Sequence, residues 1–429
     1  MNRSISRRTF LKTSLLTTAG FWVATGAGLA KRISANEKLN LGVVGTINRA
    51  GANISALRDE NIVALCDIED DLLAAAQVKF PKARTYADFR KMLARRDLDA
   101  VVVSTPDHTH AVATMAALKS GRHVYCEKPL AHEVFEVRAV TEAARKYKLA
   151  TQMGTQIHAN TNYRRVVELV ETGAIGPVSE VHVWCERVWT GDGRPTETPP
   201  VPKGLHWDLW LGPAPNRPYA PGYHPKAWRR WWDFGGGTLG DMGCHYIDLP
   251  FWALKLRAPT TIEADGPPVH VETTPAWLIV RYQFAARGPL PAVQLTWYNG
   301  GRQPELVKEG KTPDWSSGVL FLGTKGMLLA DYNRRLLLPE KDFAGFEPPA
   351  PYIPDSIGHH KEWVAACKGA APALCNFSYA GPLTETVLLG NVAYRSGQRL
   401  EWDAAACRAT NTREADQFIR RKYRKGWKL

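Results

Sequence analysis

No two of the seven cysteines stand in a C-x-x-C spacing, and their number is odd. Scattered singly as Cys66, Cys126, Cys185, Cys244, Cys367, Cys375 and Cys407 along 429 residues, they exclude a disulfide framework and offer no zinc-ligand cluster. No metal is therefore expected, and the thiols suit a chain that folds in a reducing compartment. Internal repeats and low-complexity tracts are missing too. Acidic residues are absent from the first 35 positions, which hold Arg3, Arg7, Arg8, Lys12, Lys31 and Arg32. Six more cations, Arg420, Arg421, Lys422, Arg424, Lys425 and Lys428, fall in the last ten residues. The formal charge of +13 thus belongs to the two ends, and the body between them is close to neutral. A basic stripe of the kind nucleic acids need is excluded.

What the N-terminus does have is "SRRTFLK", followed by eighteen uncharged residues from Thr13 to Ala30. A charged front, a modest apolar middle and small residues at the end describe a removable leader, with a retained membrane anchor as the competing reading. The arginine pair resembles a twin-arginine export signal. That resemblance implies the twin-arginine export machinery as a partner, a leader over residues 1–35 and a periplasmic body that folds before it leaves.

From Leu39 onward, short apolar runs alternate with helix-length stretches. "LNLGVVG", "NIVALCDIE", "DAVVVSTPD", "HVYCEKP" and "LATQMG" read as strands. Between them lie the helical "AGANISALRD", "DDLLAAAQVKF", "DFRKMLARRD", "HTHAVATMAALKSG" and "EVFEVRAVTEAARKYK". Continuously apolar strands in this alternation predict a Rossmann-like doubly wound parallel sheet over residues 36–156. Residues 157–429 change texture. After the helix "NYRRVVELVETGAIG", the runs "SEVHVWCERVW", "TIEADG", "AWLIVRYQFA", "AVQLTWYNGG", "GVLFLGTKGMLLADY" and "RLLLPE" predict an α+β domain with a large, mostly antiparallel sheet. Thr190 to Pro225, rich in Pro, Gly and Trp, is too long for a connector and is expected to wall a pocket. The basic tail is expected to be solvated or docked on a neighbouring subunit.

Ligands on doubly wound sheets gather beyond the carboxyl ends of the strands. There the loop Gly45-Thr46-Ile47-Asn48-Arg49-Ala50-Gly51 joins strand to helix, where a pyrophosphate rests on helix-start amides. Asp67, about twenty residues on, is placed to accept from a ribose 2′-hydroxyl and favours NAD over NADP. Ile47 and Ala50 stand where a G-x-G-x-x-G pattern has glycines, so the tight turn is in question, with Arg49 a candidate phosphate partner. "CEKPL" sets Glu127 and Lys128 at the mouth of a later strand, where an ammonium can polarise a hydroxyl. In "GGGTLGDMGCHYIDLPFW", Asp241 and His245 are four apart, on one helix face, and Asp248 follows three later. An imidazole beside a carboxylate is a proton-transfer unit near neutral pH.

"VVVSTPDHTH", "CEKPL" and "GGGTLGDMGCHYID", in this order, resemble the Gfo/Idh/MocA family of sugar oxidoreductases. "WDLWLGPAP" and "RKYRKGW" resemble a subgroup with twin-arginine leaders. The resemblance implies NAD(P)-dependent hydride transfer at a carbon of a sugar, with Lys128 as polarising cation, His245 as general acid/base and Asp241 as a substrate hydrogen-bond acceptor. It also implies that Thr105, Pro106 and His110 touch the nicotinamide half, with Gln156 beyond the next strand and Glu127 at the cofactor. His158, Tyr163, Trp231 and Asp248 are taken as substrate contacts, and His108 and His224 are available to the same pocket. Of Trp207, Trp210, Trp228, Trp231 and Trp232, one or two are expected to face ligand and the rest to fill core.

Export sharpens this expectation. A periplasm has no pool of nicotinamide cofactor, so the cofactor must travel inside the folded protein and be regenerated in place. Two chemistries do so: coupled oxidation and reduction of two sugars, or a redox-neutral glycosidase that oxidises, eliminates, hydrates and reduces. A sugar-binding protein without turnover stands as a third reading. The open sheet of the second domain implies a homo-oligomer.

Overall fold

The computed structural model describes Ser34, residues 37–225 and residues 227–429. Apart from Ser34, the expected leader lies outside the described residues. Six strands, β1 (Asn40–Val44), β2 (Asn61–Cys66), β3 (Arg84–Tyr86), β4 (Ala100–Val103), β5 (His123–Cys126) and β6 (Thr151–Met153), form one sheet in the order β3-β2-β1-β4-β5-β6. Every pairing in it is parallel. β4, β5 and β6 are buried along their whole length, as strands covered on both faces must be. Helices α1 (Arg49–Ala56), α2 (Asp70–Lys79), α3 (Phe89–Met92), α4 (Asp107–Lys119) and α5 (Val134–Tyr147) make the crossovers. The Glu133 and Glu136 carboxylates bond reciprocally to backbone amides and fix the entry to α5.

Helix α6 (Thr161–Glu171) leads into a nine-stranded sheet of β7 (Val178–Cys185), β8 (Thr261–Asp265), β9 (Leu278–Phe284), β10 (Val293–Asn299), β11 (Gly318–Gly323), β12 (Gly326–Ala330), β13 (Arg335–Leu338), β14 (Leu400–Asp403) and β15 (Arg408–Ala409). All its neighbours run antiparallel except β7 and β10. Alternate residues of β9 are buried, so one face of the sheet meets the core. That face takes α8 (Gly237–Tyr246) and the helix Phe377–Ser396, which also packs on α5. The bidentate ion pair of Arg138 on α5 with Glu385, both bonds 2.6 Å, ties this helix to the nucleotide domain. Burying each of its Leu383, Val387 and Leu389 side chains contributes about 1.5–3 kcal/mol. The Trp-rich segment forms its own cluster around α7 (Trp207–Leu211), with Trp207, Trp210, Trp228, Trp231 and Phe234 at its centre.

Two elements depart from expectation. "DFRKMLARRD" makes only a single turn, Phe89–Met92, started by the Asp88 carboxylate accepting from the Arg90 amide. The basic tail lies along its own chain, with Arg421 donating to the His108 and Asp233 carbonyls, while Arg420, Lys422, Lys425 and Lys428 stay exposed.

Candidate active site

A cleft of about 690 Å³ opens beyond the carboxyl ends of the parallel strands, between the two sheets. That is ample for a small-molecule ligand, for which roughly 300–1,000 Å³ is usual. At one end stands the loop after β1. Gly45 has φ 90°, and a Cβ there would meet the Ser104 carbonyl oxygen at 2.7 Å, so glycine is required. Thr46 is drawn onto Asp67, its amide and hydroxyl donating to Oδ2 at 2.8 and 2.6 Å. Among the described residues, the amides of Ile47, Asn48 and Arg49 have no protein acceptor. Three unsatisfied N–H groups at the start of an eight-residue helix are the donors a diphosphate requires. Ile47 is 38% exposed and lines the cleft, while Ala50 is buried beneath the loop. The lost glycines therefore leave the amides accessible. Gly45, Thr46, Ile47, Arg49 and Asp67 all line the cleft, and this end fits a nicotinamide dinucleotide.

Thr105, Pro106, Glu127 and Gln156 line the middle. Glu127 Oε1 accepts from Asn53 Nδ2 and Gln156 Nε2, both at 2.9 Å, and burial pushes its pKa up. His110 does not reach the cleft. Its ring is buried between the carbonyls of Thr105 and Pro129, 2.7 Å from each. Burial pushes its pKa down to about 4, so the neutral ring donates to one carbonyl and braces the wall instead of touching ligand.

At the other end, α8 presents Asp241 and His245 one turn apart. Gly237, with φ 62°, admits the chain to this helix where a Cβ would meet Thr274 at 2.7 Å. Lys128 Nζ donates to Asp241 Oδ1 at 2.5 Å and to its carbonyl at 2.7 Å. Arg229 Nε donates to the same Oδ1 at 2.9 Å, and Trp189 Nε1 to Oδ2 at 2.7 Å. Burial disfavours the Asp241 charge, but the Lys128 and Arg229 cations overcome it and hold the carboxyl well below its usual range. His245 lines the cleft with Nδ1 buried and unpartnered, leaving Nε2 as the nitrogen open to ligand. Burial, then the Lys128 charge, lowers its pKa to about 3, so the ring is neutral at physiological pH and titrates well below the neutral range expected from the sequence. Lys128 and His245 thus share one wall.

The four residues taken as substrate contacts are placed elsewhere. Asp248 opens α9 (Asp248–Ala253) and is fully buried, accepting from Tyr379 at 2.7 Å and meeting His158 Nδ1 at 3.0 Å. The His158 ring stacks on Trp252 at 4.1 Å. Tyr163 is buried, its hydroxyl donating to the His245 carbonyl at 3.0 Å, which steadies the end of α8. Trp231 packs in the aromatic cluster and reaches the Gly193 carbonyl. These groups support the site from behind because each was aimed inward by its helix or cluster. His108 is buried against Trp210, whereas His224 does line the cleft, held by Glu69 at 2.8 Å. Of the five tryptophans singled out, Trp210 and Trp228 line it.

Other cleft residues escaped the sequence. Trp189 follows β7, and Arg229 lies over Trp228 at 4.1 Å. Tyr332 and Trp427 arrive from distant segments. Asp107 was within reach, since it follows Thr105-Pro106 in the strand-end motif. It is 2% exposed, its Oδ2 is unpartnered, and burial pushes its pKa up to about 7 against the pull of Arg229 and Lys128.

Comparison with known proteins agrees with this architecture. Residues 39–155 match the oxidoreductase family's NAD-binding Rossmann fold, and residues 159–290 match its C-terminal alpha/beta domain. A myo-inositol 2-dehydrogenase of Thermotoga maritima is 29% identical over 138 residues, 32% of this chain and 41% of the relative. A glycosyl hydrolase family 109 protein of Solibacter usitatus is 31% identical over 196 residues, 41% of this chain and 44% of the relative. The chain thus spans less than half the length of these curated relatives. In structure it is similar to the WlbA dehydrogenase of Bordetella pertussis, solved with NADH and UDP-GlcNAcA, with TM-score 0.61 and 19% identity over 86% of this chain and 99% of that one. The chain belongs to the Gfo/Idh/MocA oxidoreductase family.

Proposed function

We propose that this chain is an NAD(P)-dependent oxidoreductase that transfers hydride at a hydroxyl-bearing carbon of a carbohydrate. The observation that carries the reading is the meeting of Lys128, Asp241 and His245 on one wall of a cleft whose other end offers three free amides and Asp67. A bound nicotinamide dinucleotide would supply the hydride acceptor. His245 Nε2, neutral and open, takes the proton from the substrate hydroxyl. The Lys128 ammonium, oriented by Asp241, donates to that oxygen as negative charge develops. Asp241 stays ionised, so Lys128 is fixed as a donor and not consumed as a base. Trp189 offers an apolar face for a sugar ring. Thr46 and Asp67 at the adenosine end favour NAD over NADP, since a carboxylate there repels a 2′-phosphate. Export by the twin-arginine route, a periplasmic site of action, a captive cofactor and a homo-oligomer form part of the same reading.

The likeness to a glycosyl hydrolase family 109 protein favours a second reading, a redox-neutral glycosidase built on the same groups. Incubating the purified protein with free sugars and with aryl glycosides separates the two. NADH formation from free sugars supports the dehydrogenase, and aglycone release without added NAD supports the glycosidase. Neither signal, across a panel of neutral, amino and acidic sugars, would leave only a binding protein.

A further inference from the structure

The last ten residues leave the second domain after the short helix Asp416–Ile419 and cross onto the nucleotide domain. Their attachment is dense. Arg421 donates to the His108 carbonyl on α4 at 2.8 Å and to the Asp233 carbonyl at 3.1 Å, and it faces Glu136 on α5 at 3.4 Å. Tyr423 donates to Glu136 Oε1 at 2.6 Å. Arg424 holds α7 and its exit, bonding Asp208 Oδ1 and the Gly212 carbonyl, each at 2.5 Å. Lys119, at the end of α4, donates to the Leu429 carbonyl at 3.1 Å. Buried or half-buried arginines paired in this way are not a solvated fringe.

The purpose of this course is visible at Trp427. Its ring stands 6.0 Å from Phe89 and lies under the Arg90 guanidinium at 4.5 Å. It lines the cleft beside Ala87, Asp88 and Phe89, on the β2–β3 side of the loop after β1. In a sheet of this order, Asp67 marks the ribose of the adenosine half, so the β3 side is where the adenine end of a dinucleotide lies. Residues from three separate parts of the chain close that end: Phe89, His224 and Trp427.

We propose that the C-terminal tail is a strap that retains the dinucleotide, with Trp427 forming the outer wall of the adenosine subsite. This rests on the proposed cofactor reading and adds to it a means of holding the cofactor between turnovers. To leave, the adenosine half must pass Trp427, and Trp427 cannot move far while Arg421 and Arg424 are anchored. The strap also joins the two domains at the cleft mouth, so domain opening pulls against it.

The test is the release rate of bound NADH from the full-length mature protein, followed by fluorescence after mixing with a large excess of NAD. Trp427→Ala should release NADH about tenfold faster, the scale of one lost base–aromatic contact. Truncation after Arg421 should release it faster still, and Trp427→Phe should stay close to wild type. Circular dichroism and thermal melting verify folding, and if the truncated chain does not fold, Trp427→Ala decides alone. Unchanged release from Trp427→Ala in a wild type that binds NADH overturns the strap and leaves the cofactor reading intact. A wild-type protein with no affinity for any nicotinamide dinucleotide overturns both.

Discussion

The two ends of the cleft are built by different physics. The nucleotide end relies on backbone: a positive-φ glycine, free helix-start amides and one carboxylate, Asp67, clasped by Thr46. The reactive end relies on side chains, with Lys128 and Arg229 packed on Asp241 and a neutral imidazole one turn away. Backbone donors survive changes of side chain, and Ile47 and Ala50 leave the loop amides open to the cleft. Buried charges do not tolerate loss of a partner, because the one left behind is uncompensated, at a cost of about 3–5 kcal/mol. The reactive end should therefore be intolerant of substitution where the nucleotide end is forgiving.

That contrast is broken most strongly at His245. His245→Ala should lower kcat/KM by about 10²–10⁴-fold while the melting temperature holds, since the ring's buried nitrogen has no partner to lose. Lys128→Ala should cost about 10²–10³-fold in kcat and should also destabilise, as Asp241 keeps only Arg229 and Trp189. Retained activity in either variant contradicts the assigned roles.

Asp107 sharpens the contrast through pH. Its folded carboxyl titrates near 7, above the ordinary carboxylate value, so the protonated form is the one the fold favours. Its contribution to stability is full below about pH 4 and is lost as pH rises to about 7. Chemical denaturation across that window should show a decline, on the order of 3–4 kcal/mol at most, that Asp107→Asn abolishes. An identical pH profile in the variant would mean the carboxyl is not buried as described. At the nucleotide end effects should be smaller. Asp67→Asn should weaken NAD binding about tenfold by calorimetry, and Ile47→Gly should change it less than that, because the amides are already exposed.

The alternation of apolar strands and helices was legible because both faces of the parallel sheet are covered, which leaves unbroken apolar runs. β3 was not, being three residues with a solvated first position. The helix Phe377–Ser396 was also invisible. It is buried on nearly every side, so it shows no amphipathic period, and it carries Pro382 within it. In the site, Lys128, Asp241 and His245 were legible from motif and spacing. Asp248 was not separable from them, since spacing along α8 does not reveal that the chain starts a new helix at Asp248 and turns the carboxylate into the core. Trp189, Arg229 and Trp427 carry no local signal, and only tertiary folding brings their segments to the cleft.

Every role proposed for the cleft residues depends on a nicotinamide dinucleotide occupying this cleft. Denaturing the freshly purified protein and measuring the mass and absorbance of what is released tests that directly. The expected result is a nicotinamide dinucleotide close to one per chain. Release of none, together with no uptake when NAD and NADP are added back to the native protein, would contradict it.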